Sequence, residues 1–316
     1  MVSEKTGGNM GKVYDLIIVG AGPAGLTAAI YARRAELNVL LIEKNYIAGG
    51  QIINTYEIDN YPGMPGLSGM DLATKMSEHA DKYEPERMTA DITGMDLSGD
   101  IKKVSTDKGD YEARTIILAT GNSPSKLNVK GEEELAGMGV SYCATCDGAF
   151  FRNKTVAVVG GGDVAVEDAI FLARGCKKVY LIHRRDELRA AKVLQTALFA
   201  CDNVEPVWNS VVKEIVGQDM VEKLVVENVK DKSASDLEVN GVFIAVGNIP
   251  NSTYNIEGSL AMDENGYIIA GEDCATNIPG VYAAGDIRTK ALRQVSTAVA
   301  DGANAVYAIQ KYLVEH

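Results

Sequence analysis

Positive charge is in short supply in this sequence. Its 316 residues include 31 lysines and arginines against 43 aspartates and glutamates, for a formal net charge of −12. Nucleic acid and anionic membrane surfaces repel such a chain, so we expect neither as a nonspecific partner. Small phosphorylated ligands are not excluded, because local groups bind their phosphates.

Long apolar runs are also absent. The best candidate, residues 16–32, contains three glycines and a proline, so we predict no transmembrane helix and no membrane partner. Residues 1–12 contain no apolar stretch followed by a cleavage site, so no secretory signal is expected. The five cysteines are odd in number and irregularly spaced, unlike a secreted disulfide framework. We therefore expect a reducing cytoplasm.

The sequence is poor in clustered metal ligands. A tetrahedral structural zinc needs four ligands, usually in two close pairs. The three histidines lie far apart in the sequence, and three of the five cysteines stand alone: Cys176, Cys201 and Cys274. We predict no bound metal.

What the sequence does contain is a strand, a glycine-rich turn, a helix and a second strand in succession. The apolar residues 16–19 lead into GAGPAG at 20–25, and an alanine-rich helical pattern follows. The second strand, residues 39–42, ends at Glu43. This order is typical of a dinucleotide-binding unit.

Each small residue of this turn has a physical reason. Gly20 permits the tight turn, and Gly22 lets the backbone approach a pyrophosphate. Gly25 allows the helix and strand to pack closely, and Pro23 completes the motif. The helix N-terminus faces the phosphates, and Glu43 would accept hydrogen bonds from a ribose. We predict a site for an unphosphorylated adenosine.

The same pattern recurs further along the chain. Residues 156–159 form a predicted strand, and residues 179–182 form the next. The small and polar residues of the turn between them are Gly160, Gly162, Asp163 and Ala165. We predict a second dinucleotide site here.

The end of this second unit differs from the first. His183 stands where the first unit has an acid, and Arg184, Arg185 and Arg189 follow it. Arginine binds phosphate oxygens in bidentate fashion, so the cluster favours the 2′-phosphate of NADPH. Arg189, one turn further on, would complete this pocket. The alternative is that residues 183–189 are the solvated, charged start of a helix.

Two similar four-residue segments mark the boundaries of a predicted domain. Gly121-Asn-Ser-Pro124 and Gly247-Asn-Ile-Pro250 each follow an apolar strand, which indicates that the chain crosses the same boundary twice. We predict an α/β fold with two Rossmann-like domains. Residues 123–249 form a domain inserted between the two parts of the other, residues 1–122 and 250–316.

The inserted domain contains Cys143-Ala-Thr-Cys146, followed by Asp147. A metal clip lacks further ligands, which leaves a structural disulfide or a redox pair. A close cysteine pair in a reducing compartment favours a redox role, often with one acidic thiol. Asp147 would then carry a proton to or from a thiolate, although a surface aspartate is an equal alternative.

A redox pair next to a nicotinamide site requires a third component. Nicotinamide delivers a hydride, whereas thiol exchange moves electrons as thiolates, and a flavin converts one into the other. We therefore predict FAD in the first domain and NADPH in the second.

With these motifs, the sequence resembles the low-molecular-weight, bacterial-type thioredoxin reductases over nearly all of its length, from about residue 13. The resemblance implies an FAD-containing homodimer that reduces thioredoxin with NADPH. The motifs that carry it are GAGPAG (20–25), GGQ (49–51), CATCDG (143–148), GGGDVAVEDA (160–169), HRRDELRA (183–190), AAGD (283–286) and RQ (293–294).

The resemblance also implies roles for single residues. Cys146 would lie nearest the flavin, Cys143 would attack the substrate disulfide, and Asp147 would be the general acid and base. Asp286 would bind the ribityl or pyrophosphate part of FAD. The other residues that we assign to FAD are Gly50, Gln51, Asn60, Gly121, Arg293, Gln294 and Val295.

Some alternatives remain open. The glycines and arginines of the second unit argue against relatives that take electrons from ferredoxin. A flavin disulfide reductase for a peroxiredoxin or glutaredoxin-like partner, or a non-catalytic flavoprotein that senses NADPH, would share many of these motifs. Phe150 and Phe151, near Arg152 and Lys154, are either a docking surface or core residues.

Overall fold

The computed structural model describes residues 12–55, 58, 60–252, 256–257 and 260–316. Residues 1–12, in which we expect no secretory signal, lie outside the described residues except for Lys12. The strands are β1 (Val13–Val19), β2 (Val39–Glu43), β3 (Glu86–Thr89), β4 (Ile92–Asp96), β5 (Lys102–Thr106), β6 (Gly109–Leu118), β7 (Asn122–Pro124), β8 (Val140–Ser141), β9 (Thr155–Val159), β10 (Lys178–Ile182), β11 (Val204–Val207), β12 (Ser210–Val216), β13 (Lys223–Asn228), β14 (Ala234–Glu238), β15 (Gly241–Ile244), β16 (Asn248–Pro250), β17 (Ile256–Glu257) and β18 (Val281–Ala283). The α-helices are α1 (Pro23–Arg34), α2 (Gly69–Asp81), α3 (Ala144–Asp147), α4 (Asp163–Ala173), α5 (Lys192–Phe199) and α6 (Val295–Glu315), and short 3-10 turns span Gly50–Asn54 and Gly148–Phe151.

The described residues pack into two compact units. The first contains residues 12–54, 61–123, 249–252, 256–257 and 260–316, and the second contains residues 124–248 together with Thr55, Ile58 and Asn60. The strands β7 and β16, where the chain leaves and re-enters the first unit, pair with each other. The assignment of one cofactor to each predicted domain stays a prediction.

The first unit is built on a mixed sheet. Its described strands follow the order β17-β4-β5-β6-β1-β2-β3, and β18 pairs with β6. The centre is parallel, because β1 runs parallel to both β2 and β6. Successive residues of β1 point to two different cores: Leu16 and Ile18 to one, Ile17 and Val19 to the other. A strand buried on both faces in this way is typical of α/β folds.

Close helix packing covers one face of this sheet. On α6, Gly302 lies against α1 so tightly that an added Cβ would come within 2.3 Å of the Ala24 carbonyl oxygen. The helix α1 is rich in alanine, and Ala28, Ala29 and Ala32 are fully buried. Small side chains on both helices therefore bring them close together above the sheet.

The second unit is built on a parallel sheet in the order β11-β10-β9-β15-β8. One apolar core includes residues of α4 and α5, and a second includes residues of the antiparallel strands β12 and β13. The predicted α/β class with two Rossmann-like units is confirmed. No helix among the described residues is both long and apolar enough to span a bilayer.

The segment after β10 corrects one expectation. No helix forms over residues 184–190, and α5 begins only at Lys192. The backbone N–H of Arg189 donates instead to the Gly161 carbonyl oxygen at 2.8 Å. The N–H of Ala191 donates to Asp163 Oδ1 at 2.8 Å. The second glycine turn therefore fixes this segment in an irregular path, and the predicted placement of Arg189 one helical turn on is wrong.

Candidate active site

In the first glycine turn, two glycine positions have no room for a side chain and the third has room. Gly20 has φ +103°, and an added Cβ would lie 2.5 Å from the Ala119 carbonyl oxygen. An added Cβ at Gly25 would lie 1.8 Å from the Gly20 carbonyl oxygen. At Gly22, which precedes α1, the nearest atom would be 4.0 Å away. The open position is therefore the one predicted to approach a pyrophosphate.

The carboxylate of Glu43 lies beside this turn at the end of β2. One oxygen accepts the N–H of Ala21 at 2.7 Å, and the other accepts the N–H of Asn45 at 2.9 Å. Each oxygen keeps a second acceptor site, because a carboxylate oxygen has two lone pairs. The side chain is thus fixed in place and still able to accept a hydrogen bond from a ribose.

Further predicted residues gather at the same carboxyl edge of the first sheet. The Gln51 amide donates to the carbonyl and side-chain oxygens of Asn122, which is buried and follows Gly121. The N–H of Gly49 donates to the Ala21 carbonyl oxygen at 2.8 Å. Loops that converge on the carboxyl ends of parallel strands form the usual ligand crevice of such sheets.

Asp286 and Arg293 each have one buried polar atom without a partner in the part of the chain that the structure describes. Neither Asp286 Oδ1 nor Arg293 Nε finds a hydrogen bond among the described residues. Burial raises the pKa of Asp286, and Lys290 and Arg293 act in the opposite direction. The Arg293 guanidinium lies 4.0 Å from the Tyr267 ring centroid. An unpaired buried acceptor and donor are groups that a polar ligand satisfies, so this unit fits FAD.

The other residues assigned to FAD have less specific positions. Gln294 caps α6 in a reciprocal arrangement with Thr297, and Val295 is the first residue of that helix. Gly50 begins a 3-10 turn at φ +61°. Asn60 is exposed and packs with the second unit, whereas the other predicted FAD residues belong to the first.

Sequence reasoning missed Asp301, a buried carboxylate on α6 that is 3% exposed. Its oxygens accept the Gly285 N–H at 2.8 Å, Arg288 Nε and Nη2 at 2.9 and 2.7 Å, and Lys290 Nζ at 2.8 Å. Burial acts to raise the pKa of Asp301, but the hydrogen bonds from Arg288 and Lys290 outweigh it and lower that pKa. Asp301 thus holds the segment that carries Asp286.

The second glycine turn repeats the logic of the first. Gly160 has φ +155°, and an added Cβ would lie 2.4 Å from the Ala245 carbonyl oxygen and 2.6 Å from the Ala165 Cβ. A larger residue than alanine at 165 would crowd the turn further. No atom of the described residues would lie within 4 Å of a Cβ at Gly162, which precedes Asp163 and α4. Here too the helix N-terminus is open.

The positive cluster of the second unit combines one buried and three exposed side chains. The ring of His183 lies against Gly161, and its Nε2 has no partner among the described residues. Burial, followed by the nearby charge of Arg189, lowers the pKa of His183. Arg184, Arg185 and Arg189 are exposed, and within the described part of the chain none forms an ion pair. Three exposed guanidinium groups suit a phosphate.

The cysteine pair is closed as a disulfide between Cys143 and Cys146, with Cα atoms 5.3 Å apart. It follows β8 at the carboxyl edge of the second sheet. The Cys143 carbonyl oxygen accepts the N–H groups of Cys146 at 3.3 Å and Asp147 at 3.1 Å, which closes the single turn of α3. Elsewhere, Cys176 and Cys274 are buried free thiols.

Asp147 is not the solvated surface aspartate of the alternative interpretation. Its Oδ2 accepts a hydrogen bond from Ser141 Oγ at 2.6 Å, and its Oδ1 is buried without a partner among the described residues. Burial raises the pKa of Asp147, and the Ser141 hydrogen bond opposes that rise. A carboxyl group with a raised pKa next to a thiol pair is suited to donate a proton.

The aromatic residues after the pair belong to the core. Phe151 is 5% exposed and meets Phe243 edge-on, with ring centroids 5.3 Å apart. Phe150 is partly buried against the same apolar cluster. The core interpretation is therefore confirmed for Phe151, and Phe150 shares that environment.

Comparison with known proteins supports this geometry. The sequence pattern of the pyridine nucleotide-disulphide oxidoreductase family matches residues 14–302. The chain belongs to this family. The cofactors predicted from the sequence, FAD and NADPH, are those of its thioredoxin reductase branch.

Individual relatives cover almost the whole chain. A protein from Listeria innocua named thioredoxin reductase is 46% identical over 305 residues, which is 96% of this chain and 95% of the relative. The crystal structure of thioredoxin reductase from Streptococcus pyogenes has a TM-score of 0.90 and 47% identity, and covers 96% of this chain and 99% of its own. The thioredoxin reductase from Giardia duodenalis has a TM-score of 0.88 at 32% identity, covering 96% and 99%.

The sequence did not predict Ser141 or Asp301 as residues of the candidate active site. Ser141 lies two positions before Cys143, and nothing in its sequence context marks it. A buried polar residue that contacts a predicted catalytic group is visible only once the strand end and the helical turn are placed together.

Proposed function

We propose that the protein reduces the disulfide of thioredoxin with electrons from NADPH, which pass through FAD and the Cys143–Cys146 pair. The observation that carries the proposal is the closed disulfide next to Asp147, whose Oδ1 is buried and has no partner among the described residues. The relatives named thioredoxin reductase, 44–47% identical over 96% or 97% of this chain, support the choice of substrate.

The first unit holds FAD in this proposal. The N-terminus of α1 at Gly22 faces the pyrophosphate, and Glu43 accepts a ribose hydroxyl. Asp286 Oδ1 and Arg293 Nε, both unpaired in the described structure, bind further polar groups of the cofactor. Bound FAD supplies the conversion of a hydride from NADPH into an electron pair for a sulfur.

The second unit holds NADPH. The open N-terminus of α4 at Gly162 receives the pyrophosphate. Arg184, Arg185 and Arg189 bind the 2′-phosphate, because their guanidinium groups are exposed and unpaired within the described residues. His183 packs under the turn and leaves Nε2 for a ligand atom.

The thiols act in two exchanges once they are reduced. The Cys143 thiolate attacks one sulfur of the thioredoxin disulfide, that disulfide breaks, and a mixed disulfide forms. Asp147 donates a proton to the departing thiolate. Cys146 then gives its proton to Asp147 and attacks Cys143, and the mixed disulfide breaks. The second thioredoxin sulfur leaves as a thiolate and takes a proton from water, which completes the dithiol. The Cys143–Cys146 disulfide is restored, and two electrons have moved to thioredoxin.

We extend the proposal to a homodimer that works in the cytoplasm. The support is the family membership and the expected reducing compartment. Sedimentation of the FAD-loaded protein should give twice the mass of one chain. A monomer at every concentration would remove this part of the proposal.

The decisive experiment replaces the attacking thiol. Cys143→Ser in the FAD-loaded protein should abolish NADPH-dependent reduction of thioredoxin while NADPH still bleaches the flavin absorbance. Cys201→Ser is the matched control, because Cys201 is a partly exposed free thiol, and it should turn over like the parent protein. A parent protein that binds flavin and consumes NADPH without reducing thioredoxin would contradict the proposal.

A further inference from the structure

Ser141 links the proposed proton donor to the redox pair. Its side chain is 6% exposed at the end of β8. Its Oγ donates to Asp147 Oδ2 at 2.6 Å and accepts the N–H of Cys143 at 3.1 Å. One buried hydroxyl therefore contacts both the carboxyl group and the backbone of the attacking cysteine.

The hydrogen-bond capacity of this hydroxyl is limited. A serine hydroxyl has one hydrogen to donate, and the alternative acceptor, the Cys143 carbonyl oxygen, is farther away at 3.4 Å. The hydrogen thus goes to Asp147 Oδ2. When Asp147 is protonated, its own proton then resides on Oδ1, which has no partner among the described residues.

We propose that Ser141 is a positioning residue that keeps the transferable proton of Asp147 on Oδ1. The inference rests on the proposed function, because it concerns the same thiol exchange. Without Ser141 the proton occupies either oxygen, and the carboxyl group loses the contact that fixes its rotation.

Protons and electrons balance in the attack of Cys143 on the substrate disulfide. The Cys143 thiolate supplies the electron pair of the new S–S bond, the substrate disulfide breaks, and its leaving thiolate takes the proton from Asp147 Oδ1. The resulting carboxylate keeps the Ser141 hydrogen bond at Oδ2. It regains a proton when Cys146 attacks. Ser141 keeps its own hydrogen throughout.

Other titratable groups lie on elements near the redox helix. The helix α4 packs against α3 and carries Asp163, Glu167 and Asp168. Burial, followed by the charge of Glu167, raises the pKa of Asp168 to about 7. The Tyr142 hydroxyl donates to Glu132 at 2.8 Å. The shift in the pKa of Asp147, by contrast, comes from burial and from Ser141.

The test compares two disulfides that differ in how much their leaving group needs a proton. The FAD-loaded protein is reduced with NADPH and mixed in a single turnover with dithiobis-nitrobenzoate or with hydroxyethyl disulfide. The nitroaryl thiolate leaves unprotonated, whereas the alkyl thiolate is basic. We expect Ser141→Ala to slow the alkyl exchange by roughly tenfold and to leave the aryl exchange unchanged.

The pH profile gives a second readout. Alkyl exchange requires protonated Asp147, so its rate falls as the pH rises through the pKa of that group. In Ser141→Ala the burial effect acts unopposed and raises the pKa of Asp147 further, so the fall should move to higher pH. A purely structural disturbance would lower the rate without moving the profile.

Two variants serve as controls. Ser141→Thr keeps a hydroxyl and should retain the parent ratio of alkyl to aryl rates, even if Ser141→Ala folds poorly. Ser210→Ala removes a hydroxyl of equal exposure, 6%, that donates to the Trp208 carbonyl oxygen, and it should change neither rate.

The outcomes separate the two proposals. Equal slowing of both disulfides in Ser141→Ala, no slowing of either, or a lowered ratio in Ser141→Thr would overturn the role of Ser141. Failure of the reduced parent protein to exchange with either disulfide would instead overturn the proposed function of the cysteine pair.

Discussion

Asp301 in the first unit is buried and Asp147 in the second is partly buried, and the surroundings of their carboxyl groups differ in kind. Both oxygens of Asp301 are used, by Gly285, Arg288 and Lys290. Asp147 receives one hydrogen bond from a neutral hydroxyl, and its other oxygen receives none among the described residues. Burial acts to raise both pKa values, but the pKa of Asp301 is lowered and that of Asp147 is raised.

The difference separates a structural carboxylate from a reactive one. A carboxylate saturated by cations has no free capacity, so it fixes the chain around it. A buried carboxyl group with an unused oxygen is costly for folding and is retained where a proton must move or a ligand must bind. Asp286 belongs with Asp147 in this respect, because its pKa is raised and its Oδ1 has no partner among the residues that the structure describes.

The largest effect is expected on turnover. Asp147→Asn keeps the shape of the side chain but removes the transferable proton, so thioredoxin reduction should slow by roughly 10²–10⁴-fold. Urea unfolding should be little changed, because Oδ1 has no partner to lose among the described residues. A stability loss as large as that of an Asp301 variant would erase the distinction between the two groups.

The next effect is on stability. Asp301→Asn leaves the Arg288 and Lys290 side chains, 11% and 7% exposed, without their counter-ion, so we expect a loss of about 3–5 kcal/mol in urea unfolding. FAD should also dissociate more readily, since Gly285 loses its anchor beside Asp286. Asp110→Asn, which breaks an exposed pair with Lys103, is the control and should leave the unfolding midpoint unchanged.

The smallest effect is on the pH dependence of stability. The folded pKa of Asp301 lies below the ordinary 3.8, so its contribution is present above that value and is lost as the pH falls through the folded pKa. Asp147 has a raised folded pKa, so its contribution is present below 3.8 and is lost as the pH rises through the folded pKa. Urea midpoints can be measured from roughly pH 3 to pH 8 for each variant and the parent protein. The difference between Asp301→Asn and the parent should change with pH at the acid end of this range. The difference between Asp147→Asn and the parent should change at higher pH, where the parent Asp147 loses its proton.

Local spacing explains which parts of the molecule were predictable. Gly25 is required by a contact with Gly20 inside one strand–turn–helix unit. Gly20 and Gly160 meet the backbone just after the neighbouring parallel strands β6 and β15, and such contacts recur wherever the unit lies in a parallel sheet. The helical turn predicted to place Arg189 was wrong because a tertiary hydrogen bond to Gly161 overrides the local preference.

The polar networks were not predictable in the same way. Asp301 meets Arg288 only because α6 packs back onto the first sheet, and no pattern in the chain marks that pair. Ser141 and Asp147 are close in sequence, but their contact depends on a strand that ends where a single helical turn begins. Backbone motifs can thus be predicted from spacing, whereas side-chain networks depend on the assembled fold.

The two buried thiols have a consequence for the whole molecule. Burial raises the pKa of Cys176 to about 11 and, more strongly, that of Cys274 to about 12, so hardly any thiolate exists at either site near neutrality. A protein that breaks and forms S–S bonds in every cycle could otherwise scramble its own sulfurs. Because Cys176 and Cys274 stay protonated and buried, they do not take part in the disulfide exchange that the protein carries out.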